Sequence, residues 1–416
     1  EGVTQTFKVK IVKNPVREIS IGFKEKEVRT GDVLHLNAIA LNSAGRQVVD
    51  APITYAYYGK SQYGEYGLPA SGLISEDGRF VGETPGLYTI IATSGIYSTQ
   101  KSIKVLPRNV KKNIQLVGHG LISNVKSGDL WVWAGIGKHA GKDFAATGSI
   151  FGDGEAYFWD VTDPENMKII DTVKVDARNV NDIKVSDDGR VGVITREGAS
   201  NRKNGFVILN VSDPFNVKII STFNDDMTGG VHNTFIYENH VYAVNNGRKY
   251  DIINIEDPEN PFRVGIFELD TPGHAIHDVW IEDGIAYSSN WRDGVYLVDV
   301  GNGIAGGSPS NPVAFGNYNY ASGAHHATFP FKSKTTGKFY TVLGDEIFPN
   351  GIDVNAPNET AGFLHFVDFT DLKNPKEVAR YELPGHGSHN YWIQDDILYV
   401  AMYSGGVRIV DISGDL

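Results

Sequence analysis

Eight of the twelve histidines in this 416-residue chain fall in or beside two recurring positions. The short segments GGVHNTFIYENH, HAIHDVWIEDG, GAHHATFPF and HGSHNYWIQDD align with one another. One column of that alignment holds His232, His277, His326 and His389, with Ile122 and Asn181 in the two remaining repeats. A second column, three residues earlier, holds His119, Arg178, Gly229, His274, Gly323 and His386, and His325 adjoins the first. Imidazole is the commonest protein ligand for Zn, Cu and Fe. Four His from different repeats therefore predict a transition-metal site (Zn, Cu or Fe), with a carboxylate or water completing the shell. Asp278, Asp345 and Glu346 are the expected partners behind the ligands, fixing their tautomers. Without a metal, the same ring with nearby arginines would suit an anion held by paired contacts. A third reading is structural, because a His-Asn or His-Asp at a strand start can simply bond to the next repeat. Ile122 and Asn181 show that the repeat does not require His at that position.

The elements that must position these residues are strands. From Ile114 onward an apolar strand, an Asp or Asn, a turn and a second strand recur, as in AYFWDVTDPENMKIID, GFVILNVSDPFNVKIIS and KYDIINIEDPENPFRVGIF. The anchors are Asp160, Asn210, Asn254, Asp299, Asp368 and Asp411. Most lie about 45 residues apart, a period that reads as one four-stranded propeller blade per copy. Asp-Pro and Asn-Pro supply the turns. The last copy stops after its third strand, and Asn113–Val117 matches the missing fourth. The reading is an all-β chain: a six-bladed β-propeller over residues 109–416, closed by an N-terminal strand.

In such a fold the opening strand of each blade lines the channel. The loop before it and the loop between the second and third strands share one face. The second loops contain Lys138-His139, Arg196-Glu197, Asn246 with Arg248, Asn290-Trp291-Arg292, Asp345-Glu346 and Tyr403. These residues are expected around one channel mouth, with the longest loops at 134–154 and 344–361. His325, His386 or Tyr403 could serve as a base there, and Arg292 could hold an anionic substrate. The acidic runs Ser186–Gly189, Glu282–Gly284 and Gln394–Asp396 read as hairpin turns on the opposite face.

Residues 1–108 alternate over strands such as Val33–Ala40 and Gly86–Ala92, the pattern of a sandwich. The first 18 or so residues read as the end of a preceding domain or a linker. The segment TGDVLHLNAIALNSAGRQV…DGRFVGETPGLYTIIATSG resembles bacterial Ig-like domains of surface proteins, which act mostly as spacers. The repeats over 109–416, above all SHNYWIQDDILYVAMYSGGVRIVDIS, resemble the LVIVD-repeat family of secreted bacterial propellers. That resemblance implies a fold and an extracytoplasmic bacterial location (secreted, periplasmic or surface-held as a lipoprotein) and no particular reaction.

Composition sets outer limits. A net charge of −12 argues against nucleic acid as partner. No apolar run reaches bilayer-spanning length, so no transmembrane segment is expected. With no Cys, disulfides and thiol chemistry are excluded. The chain begins with Glu1 and shows no signal peptide, which reads as a processed form. Three functions remain open. One is a surface binding module for an anionic ligand or glycan. Another is a metal-dependent hydrolase, lyase or oxidase acting on an anionic substrate such as an acidic glycan. The third is a structural subunit bound to an envelope protein partner.

Overall fold

The computed structural model describes residues 13–61, 70–108, 114–122, 125–271, 273–320, 322–352, 360–383 and 385–416. Residues 1–12, Asn113 and 353–359, which figure in the assignments above, lie outside them. Among the described residues regular structure is β throughout, apart from short 3-10 turns at Gly137–His139 and Tyr403–Gly405. Among the described residues no helix is long and apolar enough to cross a membrane. Contacts divide the chain into two units. One comprises Glu1–Lys112, Glu377–Tyr381 and Leu416, and the other Asn113–Lys376 and Glu382–Asp415.

The first unit has a two-stranded, a three-stranded and a four-stranded sheet. Its longest pairing joins Gly86–Ser94 to Tyr97–Leu106. Strict alternation in Gly86–Ser94 sends Tyr88, Ile90 and Ala92 inward, where Tyr88 and Ile90 meet Leu34, Phe80, Ile103 and Val105.

The second unit consists of sheets in chain order, each an antiparallel meander. The first four-stranded sheet begins at Lys126–Ala134, the second at Ile183–Val185, the third at Val231–Tyr237, the fourth at Asp278–Glu282 and the fifth at His325–Lys332. A sixth, three-stranded sheet follows: Tyr391–Gln394, Ile397–Ala401 and Val407–Asp411. The middle strands are buried on both faces, so they read as continuous apolar runs such as Phe206–Asn210. Each repeat anchor is the last residue of a third strand. Its side-chain oxygen accepts the N–H two residues on: Thr162 for Asp160, Ser212 for Asn210, Glu256 for Asn254, Gly301 for Asp299, Thr370 for Asp368 and Ser413 for Asp411. An Asx turn ends each strand, which is why the repeat needs Asp or Asn there.

One sequence expectation fails here. Residues 134–154 are not one long mouth loop, because Asp143–Ile150 is the second strand of the first sheet. Lys138 and His139 sit in the first hairpin instead, where Asp213 takes both side chains. Among the described residues the closing strand is not paired: Ile114–Val117 are irregular and exposed, and the sixth sheet has three strands.

Candidate functional site

The first strands of consecutive sheets touch one another in order, and Trp131 of the first meets Trp392 of the sixth at 6.0 Å between ring centroids. Side chains that project from these strands stack in layers across the shared centre. At the mouth the four predicted histidines form a continuous arc. Ring centroids are 5.2 Å apart for His232 and His277, 4.3 Å for His277 and His326, and 4.3 Å for His326 and His389. One residue further along, Asp129, Asp182, Asn233, Asp278 and Asn390 make a polar layer. Two residues beyond that, Trp131, Phe235, Trp280, Phe329 and Trp392 pack against each other at 4.5–6.4 Å. Lys184 is the second sheet's residue at that level, 5.1 Å over the Trp131 ring. The histidines therefore line a cup whose floor is aromatic.

This spacing corrects the register of the first repeat. Trp131 aligns with Trp280 and Trp392, so Gly128, not Ile122, shares the column with the histidines. Gly128 is needed there, because a Cβ would lie 2.7 Å from the Asn181 carbonyl and 2.8 Å from that of Val180. His119 is exposed and away from the mouth, since Gly118 lies against the Pro164 carbonyl in a turn at the far end of the sheet. The tie between neighbouring sheets falls to asparagines. Asn181 donates to the His232 carbonyl and Asn233 to that of His277, both at 3.0 Å. The His232 ring adds a tie to Asn181 and Glu197 of the preceding sheet, whereas His277 Nε2 and His326 Nδ1 make none.

Glu346 completes the arc. One ligand atom each from His277, His326 and Glu346 lie within 4.8 Å of one another. Glu346 Oε2 is 3.7 Å from His326 Nε2, and its Oε1 is 3.7 Å from His389 Nε2. Two ligands about 2.1 Å from one ion stand roughly 3–3.5 Å apart, so a small side-chain adjustment admits a metal. His277 Nε2 and His326 Nδ1 are buried without a hydrogen-bond partner, a costly state for a polar atom unless something else bonds to it. Burial, then the neighbouring histidines, hold both rings well below the usual imidazole range, so they are neutral and can donate lone pairs. Burial also lowers His389. His232 differs. Burial alone would lower it, but the Glu197 carboxylate 2.7 Å from Nδ1 outweighs that and raises it.

The other predicted residues divide clearly. Trp291 stands at the mouth with its ring 4.5 Å from His277, and Tyr403 donates its hydroxyl to Glu346 Oε1. His274 pairs with Asp293 beside this rim, and His386 lies against the Tyr403–Gly405 turn. Arg178 and Arg292 are exposed, and the Arg178 N–H bonds to the Glu197 carbonyl 2.8 Å away. Four expectations fail. Arg196 is buried and spends its guanidinium on the Asp176, Lys203 and Asn204 carbonyls. Arg248 turns outward to Glu268. His325 has both ring nitrogens engaged, by the Tyr320 hydroxyl and Thr328 Oγ1, each at 2.9 Å, so it is no base. Asp345 is fully buried against His365 Nε2 at 3.0 Å and does not reach the ligands.

The polar layer was not foreseen, although the same columns read one and three residues further along would have exposed it and the floor. Lys184 is held by Asp129 at 2.6 Å and by Asp182. Asp278 has no such cation, and burial together with Asp182 pushes it up to about 7. The folded protein thus holds this proton more tightly than the unfolded chain, whose Asp titrates near 4. The associated stability is fully present below about pH 4 and is lost as pH rises to about 7. Asp278→Asn should flatten that part of the melting-temperature profile between pH 5 and pH 8; equal slopes in both proteins would exclude Asp278 as the source.

No protein-family model and no curated protein matches the chain. Solved structures do. A protein provisionally named a 6-phosphogluconolactonase, from Bacteroides fragilis NCTC 9343, is 12% identical, with 88% of this chain and 92% of that one covered at a TM-score of 0.52. A second so named, from Bacteroides uniformis ATCC 8492, is 10% identical over 86% and 92% at 0.52. The fold is a β-propeller. At this identity the likeness extends to the architecture of the propeller and not to its chemistry.

Proposed function

We propose that this propeller is a metal-dependent binding module whose ligand docks at the channel mouth. The observation that carries the reading is the convergence of one ligand atom each from His277, His326 and Glu346 within 4.8 Å of one another. Two imidazoles and a carboxylate suit Zn or Fe(II) and leave coordination positions open for a ligand. His389 is placed to become a fourth ligand. The exposed Arg178 and Arg292 at this end favour an anionic ligand such as an acidic glycan, with Trp291 as a face for a sugar ring. The test is elemental analysis after purification without added metal or chelator. One equivalent of a transition metal per chain is expected, and none would refute the reading.

The six sheets are read as six blades of an LVIVD-type propeller, exported from a bacterial cytoplasm and carried on an Ig-like spacer. Ring closure by Asn113–Val117 also remains part of this reading. The last strand, Val407–Asp411, is an open edge with Val407 66% and Ile409 45% exposed, while Ile114 and Leu116 upstream are 74% and 80% exposed. Pairing the two segments would bury both sets and remove the edge. Ile114→Asp with Leu116→Asp should then cost about 2 kcal/mol or more in urea unfolding; an unchanged midpoint would refute closure by this strand.

A further inference from the structure

The Asp345 side chain bonds to none of the proposed metal ligands, yet the residue joins the chain segments that carry Glu346, His326 and His389. Its carboxylate accepts from Ser322 Oγ at 2.6 Å and meets His365 Nε2 at 3.0 Å. Its carbonyl accepts from Ser388 Oγ at 2.7 Å. Its own N–H bonds to the Phe363 carbonyl at 2.9 Å, and the next N–H, of Glu346, bonds to Ala324 at 3.0 Å. Ser322 and Ala324 lead directly to His326, and Ser388 immediately precedes His389. Gly362 lies so close that a Cβ there would stand 2.7 Å from the Asp345 carbonyl oxygen. Asp345 and Ser388 are both 0% exposed, and His365 is 2% exposed. A buried, fully bonded hub of this kind has little freedom to shift.

We infer that Asp345 is the positioning residue of the metal site: it fixes where Glu346, His326 and His389 stand relative to one another. The argument for Glu346 is the strongest. Its carboxylate follows directly on a residue held on four sides, so its backbone position is set before any ion arrives. Groups behind metal ligands are worth 10–100-fold in affinity because they remove the cost of arranging the ligands on binding. Asp345 acts through backbone and hydroxyl bonds to three segments at once, so its effect should fall in that range.

This inference rests on the metal reading above, and the experiment separates the two. Metal-free protein is titrated with Co2+ and followed by its visible ligand-field bands, alongside thermal melting of the metal-free form. The proteins are the wild type, Asp345→Asn, Ser388→Ala and, as a control, Asp396→Asn. Asp396 is 3% exposed and accepts from Lys334, Thr335 and Ser333 in a hairpin on the opposite face. Its loss should lower stability without touching the cup. Asp345→Asn and Ser388→Ala are expected to weaken Co2+ binding by about 10–100-fold and to change its bands, while Asp396→Asn leaves both as in wild type. If wild type binds no Co2+, the metal reading itself fails. If wild type binds and both hub variants bind equally well, Asp345 is not a positioning residue. Should Asp345→Asn not fold, Ser388→Ala decides, since it removes one hydroxyl and leaves the carboxylate in place.

Discussion

Replacing His277 and His326 together by alanine will strip the protein of bound metal. The two rings supply two of the three atoms that converge with Glu346, and a lone carboxylate does not hold a transition metal against solvent. Metal content should fall from one equivalent to below about a tenth. Neither imidazole makes a hydrogen bond through the ring nitrogens named above, so the fold loses no such bond at those atoms. The metal-free forms of variant and wild type should therefore melt within a few degrees of each other. Metal retained in the double variant would place the ion elsewhere. A variant that loses metal and a large part of its stability as well would favour a structural staple over a ligand site.

Lys184→Met will be the most destabilising change in the channel. Lys184 is 8% exposed, and it offsets two carboxylates that water does not reach freely. Burial, with the Asp129 charge beside it, raises Asp182 despite Lys184, whereas Lys184 lowers Asp129 against the effect of burial, the two titrating as a pair around the ammonium. Methionine would fill the volume, match the aromatic floor and remove the only cation bonded to this layer among the described residues. The cost should be about 3–5 kcal/mol, that of leaving a buried charge unpaired. The pH dependence has a definite sign. In the variant both carboxylates favour their protonated form when folded, so stability is greatest at low pH and is lost as pH rises. Urea unfolding should show a larger deficit at pH 8 than at pH 5. Adding Asp129→Asn and Asp182→Asn should restore much of the loss. A deficit below about 1 kcal/mol at pH 8 would mean that the layer is wetter than it looks.

The sequence made the sheets readable because each copy needs a polar cap where its third strand ends. Asp160 and Asp411 do the same job in repeats that share little else. The histidine column was equally readable, since strand starts in successive copies face the same centre. Other features were not. The first repeat was misaligned because Gly128 carries no side chain to mark the column, and His119 lay by chance at the spacing expected of a match. Asp345 and Glu346 looked equivalent from the sequence. A strand sends neighbouring side chains to opposite faces, and only the position of His365, in a different strand of the same sheet, decides which carboxylate turns inward. Arg196 looked like a rim cation because nothing local reveals that three carbonyls await its guanidinium.

The aromatic layer lies directly beneath the histidines, so a solute that reaches them is expected to leave by the way it came. How long it stays and how tightly it is held then become separable properties. Trimming the rim around Trp291 would speed arrival and departure alike and leave the dissociation constant nearly unchanged. A change at the ligands below would act on departure alone.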